Sequence, residues 1–156
     1  MTYILGIDPT DRQTTPQHKL GSRGMDANGT TYIYVKANAT INDADCVAID
    51  SSFNAVQMTK AQADTLPIVG FAQAAFVNGN YGWVSRSGVG TRCNMLASST
   101  VNAPLYTTAT AGHLSHVSTS QTMVAGICAT TTTGSNAPQT MRASIEPFVV
   151  RGTVNA

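Results

Sequence analysis

The fold is decided by residues 66–88, LPIVGFAQAAFVNGNYGWVSRSG, in which two apolar runs flank the turn sequence Asn78-Gly79-Asn80. Asn and Gly tolerate a positive φ, so this tripeptide between β-forming residues predicts a turn joining two antiparallel strands. In the second run Trp83, the only tryptophan, shares a strand face with Tyr81. We predict that the Trp83 ring is buried in the core of a small β-domain; the alternative is an exposed platform that stacks on a base or a sugar.

The 156-residue chain is poor in charge. Charged residues make up 11% of it, hydrophobic residues make up 42%, and the net charge is +1. The length suits one domain or two very small ones, and the composition suits a β-rich surface of small, neutral side chains, of the kind that packs against copies of itself or a large partner. The sequence therefore predicts no binding to nucleic acid or membranes. It contains no apolar run near the roughly 18 residues of a membrane span and no secretion signal, so we expect synthesis in the cytoplasm.

Candidate reactive residues are few and scattered. Cys46, Cys93 and Cys128 form no CxxC motif, and we interpret them as buried thiols, with one disulfide plus one free thiol as the alternative. His113 and His116 are three apart in a predicted strand and so face opposite sides, which does not favour a shared metal. Common nucleotide, hydrolase and calcium-loop motifs are missing. We predict no enzymatic activity, no cofactor and no metal, and keep a cysteine-dependent enzyme as a third hypothesis.

Alternating and apolar runs predict an all-β fold, a compact antiparallel barrel or sandwich over residues 28–156. Helical character is confined to residues 59–64, with Thr59 as the cap. Residues 87–90 are expected to form a connection between two strands rather than part of one. We predict six residues that anchor the core: Tyr32, Tyr34, Gly70, Phe71, Trp83 and Gly126.

Two segments of this domain, about 44–97 and 103–150, repeat the same order of strand, turn and strand. PIVGFAQAAF from residue 67 matches MVAGICATTT from residue 123, which places Gly70 and Gly126 at the same position. A glycine inside a long strand indicates a bulge or a bend. The match predicts two similar β-units, each too small to bury its apolar face alone.

Residues 1–27 show no regular period, and prolines and glycines interrupt them. We interpret this segment as an extended arm that lies outside the β-core, because ordering such a chain is costly in entropy. Its tip carries an apolar patch, which we expect to dock on a neighbouring subunit; a disordered terminus is the alternative. The residues of the patch are Tyr3, Ile4, Leu5 and Ile7.

Two strings suggest a family. ADCVAIDSSFNAVQM followed by PIVGFAQAAFVNGNYGWVSRSG, and APLYTTATAGHLSHVSTSQTMVAGI, resemble the small head decoration, or cement, proteins of tailed bacteriophages. The shared features are a strand such as ADCVAID or APLYTT, a turn with a small residue, and a strand reading VGFA or AGIC. The resemblance covers residues 30–145, and the N-terminal segment has no firm counterpart.

The resemblance implies a structural protein of the virion. Members of such families are β-rich, carry no cofactor and bind the outer surface of the major capsid shell, often as trimers. We therefore expect the major capsid protein and sister copies, as a homotrimer, to be the partners of this chain. The competing hypothesis is a receptor- or glycan-binding module that exposes Trp83, Tyr81 and Tyr106 as platforms.

Overall fold

The computed structural model of the protein describes residues 3–66, 68–132 and 134–150. Across these residues the fold is nearly all β with one short helix, which confirms the predicted all-β class, although the sheets are mixed and not wholly antiparallel as predicted. The helix is α1 (Lys60–Thr65), and the Thr59 hydroxyl caps it by accepting a hydrogen bond from the Gln62 amide, as predicted. The strands are β1 (Tyr3–Leu5), β2 (Arg12–Gln13), β3 (Arg23–Met25), β4 (Thr31–Ala37), β5 (Cys46–Ile49), β6 (Asn54–Gln57), β7 (Ile68–Ala72), β8 (Tyr81–Met95), β9 (Leu105–Thr107), β10 (Leu114–Ser115), β11 (Met123–Ala129) and β12 (Ala137–Val150).

The strands of the first half close into a ring, in the order β4–β6–β5–β7–β8 and back to β4. β4 runs parallel to β6 and antiparallel to β8, whereas β5 is antiparallel to both β6 and β7, and β7 is antiparallel to β8. Alternate side chains point into the ring, as the period of two requires. The interior cluster includes Ile33, Val35, Val47, Ile49 and Val84.

The strands of the second half pair in the same order, β8–β10–β9–β11–β12 and back to β8, and in the same relative directions. The registers also correspond, because Ile49 lies opposite Ile68 in the first unit and Leu105 lies opposite Val124 in the second. A single pairing, Leu114 with Met95, joins β10 to β8. The chain thus contains two β-units of the same topology that share β8.

The prediction that residues 87–90 connect two separate strands is wrong. One strand runs from Tyr81 to Met95, pairing first with β4 and then with β12. Gly88 and Gly90 have φ angles of +133° and +96°, so the strand changes course there without ending. The two glycines on their own favour a turn. The local sequence does not show that β4 and β12 pair with the strand before and after them.

The predicted turn at residues 78–80 is present, with Gly79 at φ +89°. The connection that contains it is longer than expected, because β7 ends at Ala72 and β8 begins at Tyr81. Within this connection Phe76 forms an isolated antiparallel bridge with Ile41 and is buried in the interior of the first unit. Phe76 therefore fills a core without extending the strand, whereas Val77 is exposed.

Gly70 and Gly126 occupy corresponding strands, β7 and β11, but their backbones differ. Gly126 has φ +87° and lies at a β-bulge, after which the alternation changes phase so that Val124 and Ile127 both face the core. Gly70 lies in regular pairing, so the expected bulge there is wrong. A Cβ at Gly70 would lie 2.9 Å from Val84 Cγ2, so close packing, not a bend, favours glycine at this position.

The expectation that residues 1–27 lie outside the β-core is also wrong. β1 pairs with β3 and β3 with β4, while β2 pairs with β8, so the segment extends the sheet of the first unit. Ile4 and Ile7 pack against the aromatic cluster beneath, and Leu5 is 76% exposed. Strand pairing and apolar burial offset the ordering entropy on which the expectation rested. The Tyr3 side chain lies outside those that the structure describes.

Deletion of residues 1–8 is therefore expected to lower the free energy of unfolding by about 2 kcal/mol, because it uncovers the apolar surface under Ile4 and Ile7. Urea denaturation of the full chain and the truncated chain measures this difference. Leu5→Ala is the matched control and should change stability by less than about 0.5 kcal/mol. Equal midpoints for the truncated and full chains would contradict the packing of this segment.

Candidate interaction surface

Three of the four predicted aromatic anchors lie beneath the N-terminal segment and not at a binding surface, whereas the fourth, Phe71, is buried in a core cluster that both units share. Tyr32, Tyr34 and Trp83 form one buried cluster, and Trp83 is 3% exposed. The ring centroids of Tyr34 and Trp83 are 5.1 Å apart, and the His18 ring lies 5.2 Å from each. Burial, together with the hydrogen bond to Asp26, raises the pKa of Tyr32. Trp83 is therefore not available as the exposed platform that the glycan-binding hypothesis requires.

A buried carboxylate lies where the two units meet. Asp45 accepts hydrogen bonds from the Asn42 amide and Gln57 Nε2, both at 2.7 Å, and from Asn94 Nδ2 at 2.9 Å. Next to it, the turn between β9 and β10 bonds to the first unit through Gly112, whose carbonyl accepts from the Cys46 amide at 2.8 Å. These bonds satisfy the carboxylate internally, which indicates a structural role for Asp45.

Several of the few charged side chains pair with one another. Glu146 accepts hydrogen bonds from Arg23 and Arg86; burial alone would raise its pKa, but these bonds hold the pKa below its ordinary value. Arg92 pairs with Asp43 at 2.7 Å.

A further cation, Arg12, bonds to backbone carbonyls instead. Its guanidinium donates to the carbonyls of Pro9 and Ala74 and lies 3.7 Å from the centroid of the Phe76 ring. Burial lowers its pKa to about 10. Several of the few charged side chains are therefore bonded to other groups of the same chain, either as ion pairs or through backbone carbonyls.

The three cysteines differ in environment. Cys46 and Cys93 are fully buried free thiols, and burial raises the pKa of both. Cys128 is a free thiol but only half-buried, so its predicted burial is wrong. Among the residues that the structure describes, no group of three or more His, Cys, Asp and Glu side chains is placed to hold a metal ion.

An apolar surface lies on the outer face of β9, β11 and β12. Register fixes this face, because Met123 lies opposite both Tyr106 and Val150, and Ala125 lies opposite Phe148. Residues directly opposite in paired strands share a face. The intervening Leu105, Val124 and Val149 pack into the core, so the face points outward. Phe148 is 46% exposed and Val150 39% exposed.

A groove of about 290 Å³ runs along this face beside the bulge at Gly126. Asn102, Pro104, Ala125 and Cys128 contribute to its lining. None of these four lining side chains carries a charge. Sequence analysis missed this surface. The alternation of side chains along a strand shows that the strand has two faces, but only the topology shows which face the rest of the chain covers.

The sequence matches no protein-family model and no curated protein. No helix in the described part of the chain is long and apolar enough to cross a membrane.

Proposed function

We propose that this protein is a structural virion protein that binds the outer surface of a phage head and stabilises contacts between major capsid subunits. The observation that carries the proposal is a charge-poor chain in which several of the charged side chains form ion pairs with one another. Arg23, Arg86 and Glu146 form one network, and Arg92 pairs with Asp43. A surface of this kind binds through area and shape, which suits a protein repeated at many symmetry-related sites.

The sequence resemblance to decoration proteins and the two-unit β-fold support the same proposal. Two units with a common topology share β8 and so form one body. Binding of such a body across neighbouring capsid subunits would add many weak contacts without charge repulsion. Each contact contributes little binding free energy, but many contacts made at the same time around the shell give a large total.

The N-terminal segment remains part of the proposed contact with the capsid, but fewer of its residues are available than the sequence predicted. Ile4 and Ile7 pack on the protein's own aromatic cluster, so they are not available to a partner. Leu5, at 76% exposure, is the residue of the described patch that is left to contact a capsid subunit. Burial of one leucine side chain contributes about 1.5–3 kcal/mol, which repetition over a shell would multiply.

The proposal is tested with heads purified from the virus whose genome encodes this chain, assembled without it. Purified protein is added, and bound copies are counted by co-sedimentation and located by cryo-electron microscopy. We expect saturable binding at a fixed ratio to the capsid protein and on its outer surface. Leu5→Glu should weaken binding while leaving the thermal melt unchanged. No binding to such heads overturns the proposal.

Binding to the heads is expected to depend little on salt. Raising the NaCl concentration from about 0.05 to 0.5 M should change the dissociation constant by less than about threefold, because screening acts on exposed charges and few are available. Co-sedimentation titrations at both concentrations measure the change. A loss of binding of more than about tenfold at the higher concentration would show that charge pairing, not neutral area, drives the contact.

A further inference from the structure

We propose that Asn28 is a modification site at which the native protein deamidates spontaneously and acquires a negative charge. The proposal does not depend on capsid binding. The sequence contains two Asn-Gly pairs, Asn28-Gly29 and Asn78-Gly79. An Asn-Gly pair is reactive because glycine has no side chain to hinder the approach of its nitrogen to the asparagine amide. The two pairs have the same chemistry, and the fold distinguishes them.

The reaction needs only the groups of the Asn-Gly pair and water. The glycine backbone nitrogen gives up its proton to a base in the solvent and attacks Cγ of the asparagine. A bond forms between this nitrogen and Cγ, the bond from Cγ to the side-chain nitrogen breaks, and ammonia leaves. Water then opens the resulting succinimide at either carbonyl, which produces aspartate or isoaspartate. In sum, an amide and a water molecule become a carboxylic acid and ammonia.

Asn28 and Gly29 lie in the turn between β3 and β4, and both are exposed. The Gly29 amide donates to the Asp26 carbonyl at 3.2 Å, at the long end of the hydrogen-bond range. This acceptor lies three residues away in the same turn, so a local opening of the turn frees the Gly29 nitrogen without separating β3 from β4. Among the described residues, no hydrogen bond holds the Asn28 side chain, so its Cγ can turn toward that nitrogen.

The nitrogen of the other pair is held by the sheet. Gly79 is half-buried, and its amide donates to the Ala37 carbonyl at 2.8 Å. Ala37 ends β4 and is fully buried, and its own amide donates back to the Asn80 carbonyl at 2.8 Å. Release of the Gly79 nitrogen therefore requires the end of β4 to separate from the turn before β8. We expect this opening to be rarer than that of the turn at Asn28.

Deamidation of Asn28 would change the turn in charge and in backbone length. It adds one negative charge to a chain whose net charge is +1. The new carboxylate is two residues from Asp26, whose Oδ1 accepts hydrogen bonds from the Asn28 and Thr30 amides at 2.8 and 3.0 Å. The isoaspartate product also runs the backbone through the side-chain carbon, which lengthens the turn that these bonds close.

Incubation of the full chain at mildly alkaline pH, followed by tryptic digestion and mass spectrometry, tests the proposal. Trypsin cuts after lysine and arginine, so peptides 24–36 and 61–86 report Asn28 and Asn78 separately, and fragment spectra locate the change of about 1 Da. In the native protein we expect Asn28 to react at least about tenfold faster than Asn78. In urea, where no fold protects either pair, the two rates should agree within about threefold.

Asn28→Gln should abolish the fast release of ammonia, because the longer side chain disfavours closure of the ring. Asn78→Gln is the matched control and should leave the release of ammonia from the native protein unchanged. Native electrophoresis should show a more acidic band that grows with time in the wild-type chain and not in Asn28→Gln, and thermal melts establish that both variants are folded. Equal native rates at Asn28 and Asn78, or an intact Asn28 in native protein after the chain in urea has reacted, overturns the proposal.

Discussion

Replacement of Trp83 by alanine is expected to lower the free energy of unfolding by about 3–5 kcal/mol, the range for deleting a large buried aromatic side chain. Trp83 is 3% exposed and lies between the sheet and the N-terminal segment. Its removal would leave a cavity against Tyr34 and His18, whose ring centroids are 5.1 and 5.2 Å away. It would also remove surface on which Ile4 and Ile7 pack. Urea denaturation followed by circular dichroism measures the loss.

Tyr106→Ala is the matched control for Trp83→Ala. Tyr106 is also an aromatic residue on a strand, but it lies half-exposed on the outer face of β9. Its truncation should cost about 1 kcal/mol or less in the monomer. A loss below about 1 kcal/mol for Trp83→Ala, or similar losses for the two variants, would contradict the packing of the N-terminal segment over the ring.

The all-β class, the single helical turn and the similarity of the two halves could be predicted because their signals are local. Thr59 with the residues after it specifies a capped helical turn, and the alternation of β4 places Ile33 and Val35 on one face. The glycines at residues 70 and 126 align the two units without any knowledge of pairing. These features depend on short-range periodicity, turn chemistry and capping, all of which are visible in one sequence.

The errors share a different cause, which is pairing between distant segments. β1 and β2 are too short to be recognised, and they exist because β3 and β8 supply partners. The continuity of β8 past Gly88 likewise depends on β4 and β12.

The open face of β9, β11 and β12 was missed for the same reason. Alternation alone does not reveal which side of a strand another unit covers. Closure of a ring and burial of a face are properties of the topology. The candidate interaction surface therefore became visible only in the folded chain.

Gly112→Ala is expected to lower the free energy of unfolding by about 3–4 kcal/mol, through two separate costs. Gly112 has φ +78°, a left-handed conformation that costs about 1–2 kcal/mol for a residue with a Cβ. That Cβ would also lie 2.4 Å from Cγ of Asp45, far inside van der Waals contact. The Asp45 carboxylate cannot move freely, because it accepts hydrogen bonds from Asn42, Gln57 and Asn94. Relief of the clash would break buried bonds at the junction between the two units.

Gly79→Ala separates the two costs. Gly79 has a similar φ of +89°, but a Cβ there would meet nothing within 4 Å, so this variant should lose only about 1–2 kcal/mol from backbone strain. The difference between the two variants in chemical denaturation reports the clash with Asp45 alone. A second substitution, Asp45→Ala, should reduce the further effect of Gly112→Ala without abolishing it, because the carboxylate is gone but the Cβ at residue 45, 2.9 Å from the new Cβ, remains. If Gly112→Ala costs no more than Gly79→Ala in the wild-type background, the turn between β9 and β10 does not press on Asp45 and the junction is looser than this structure describes.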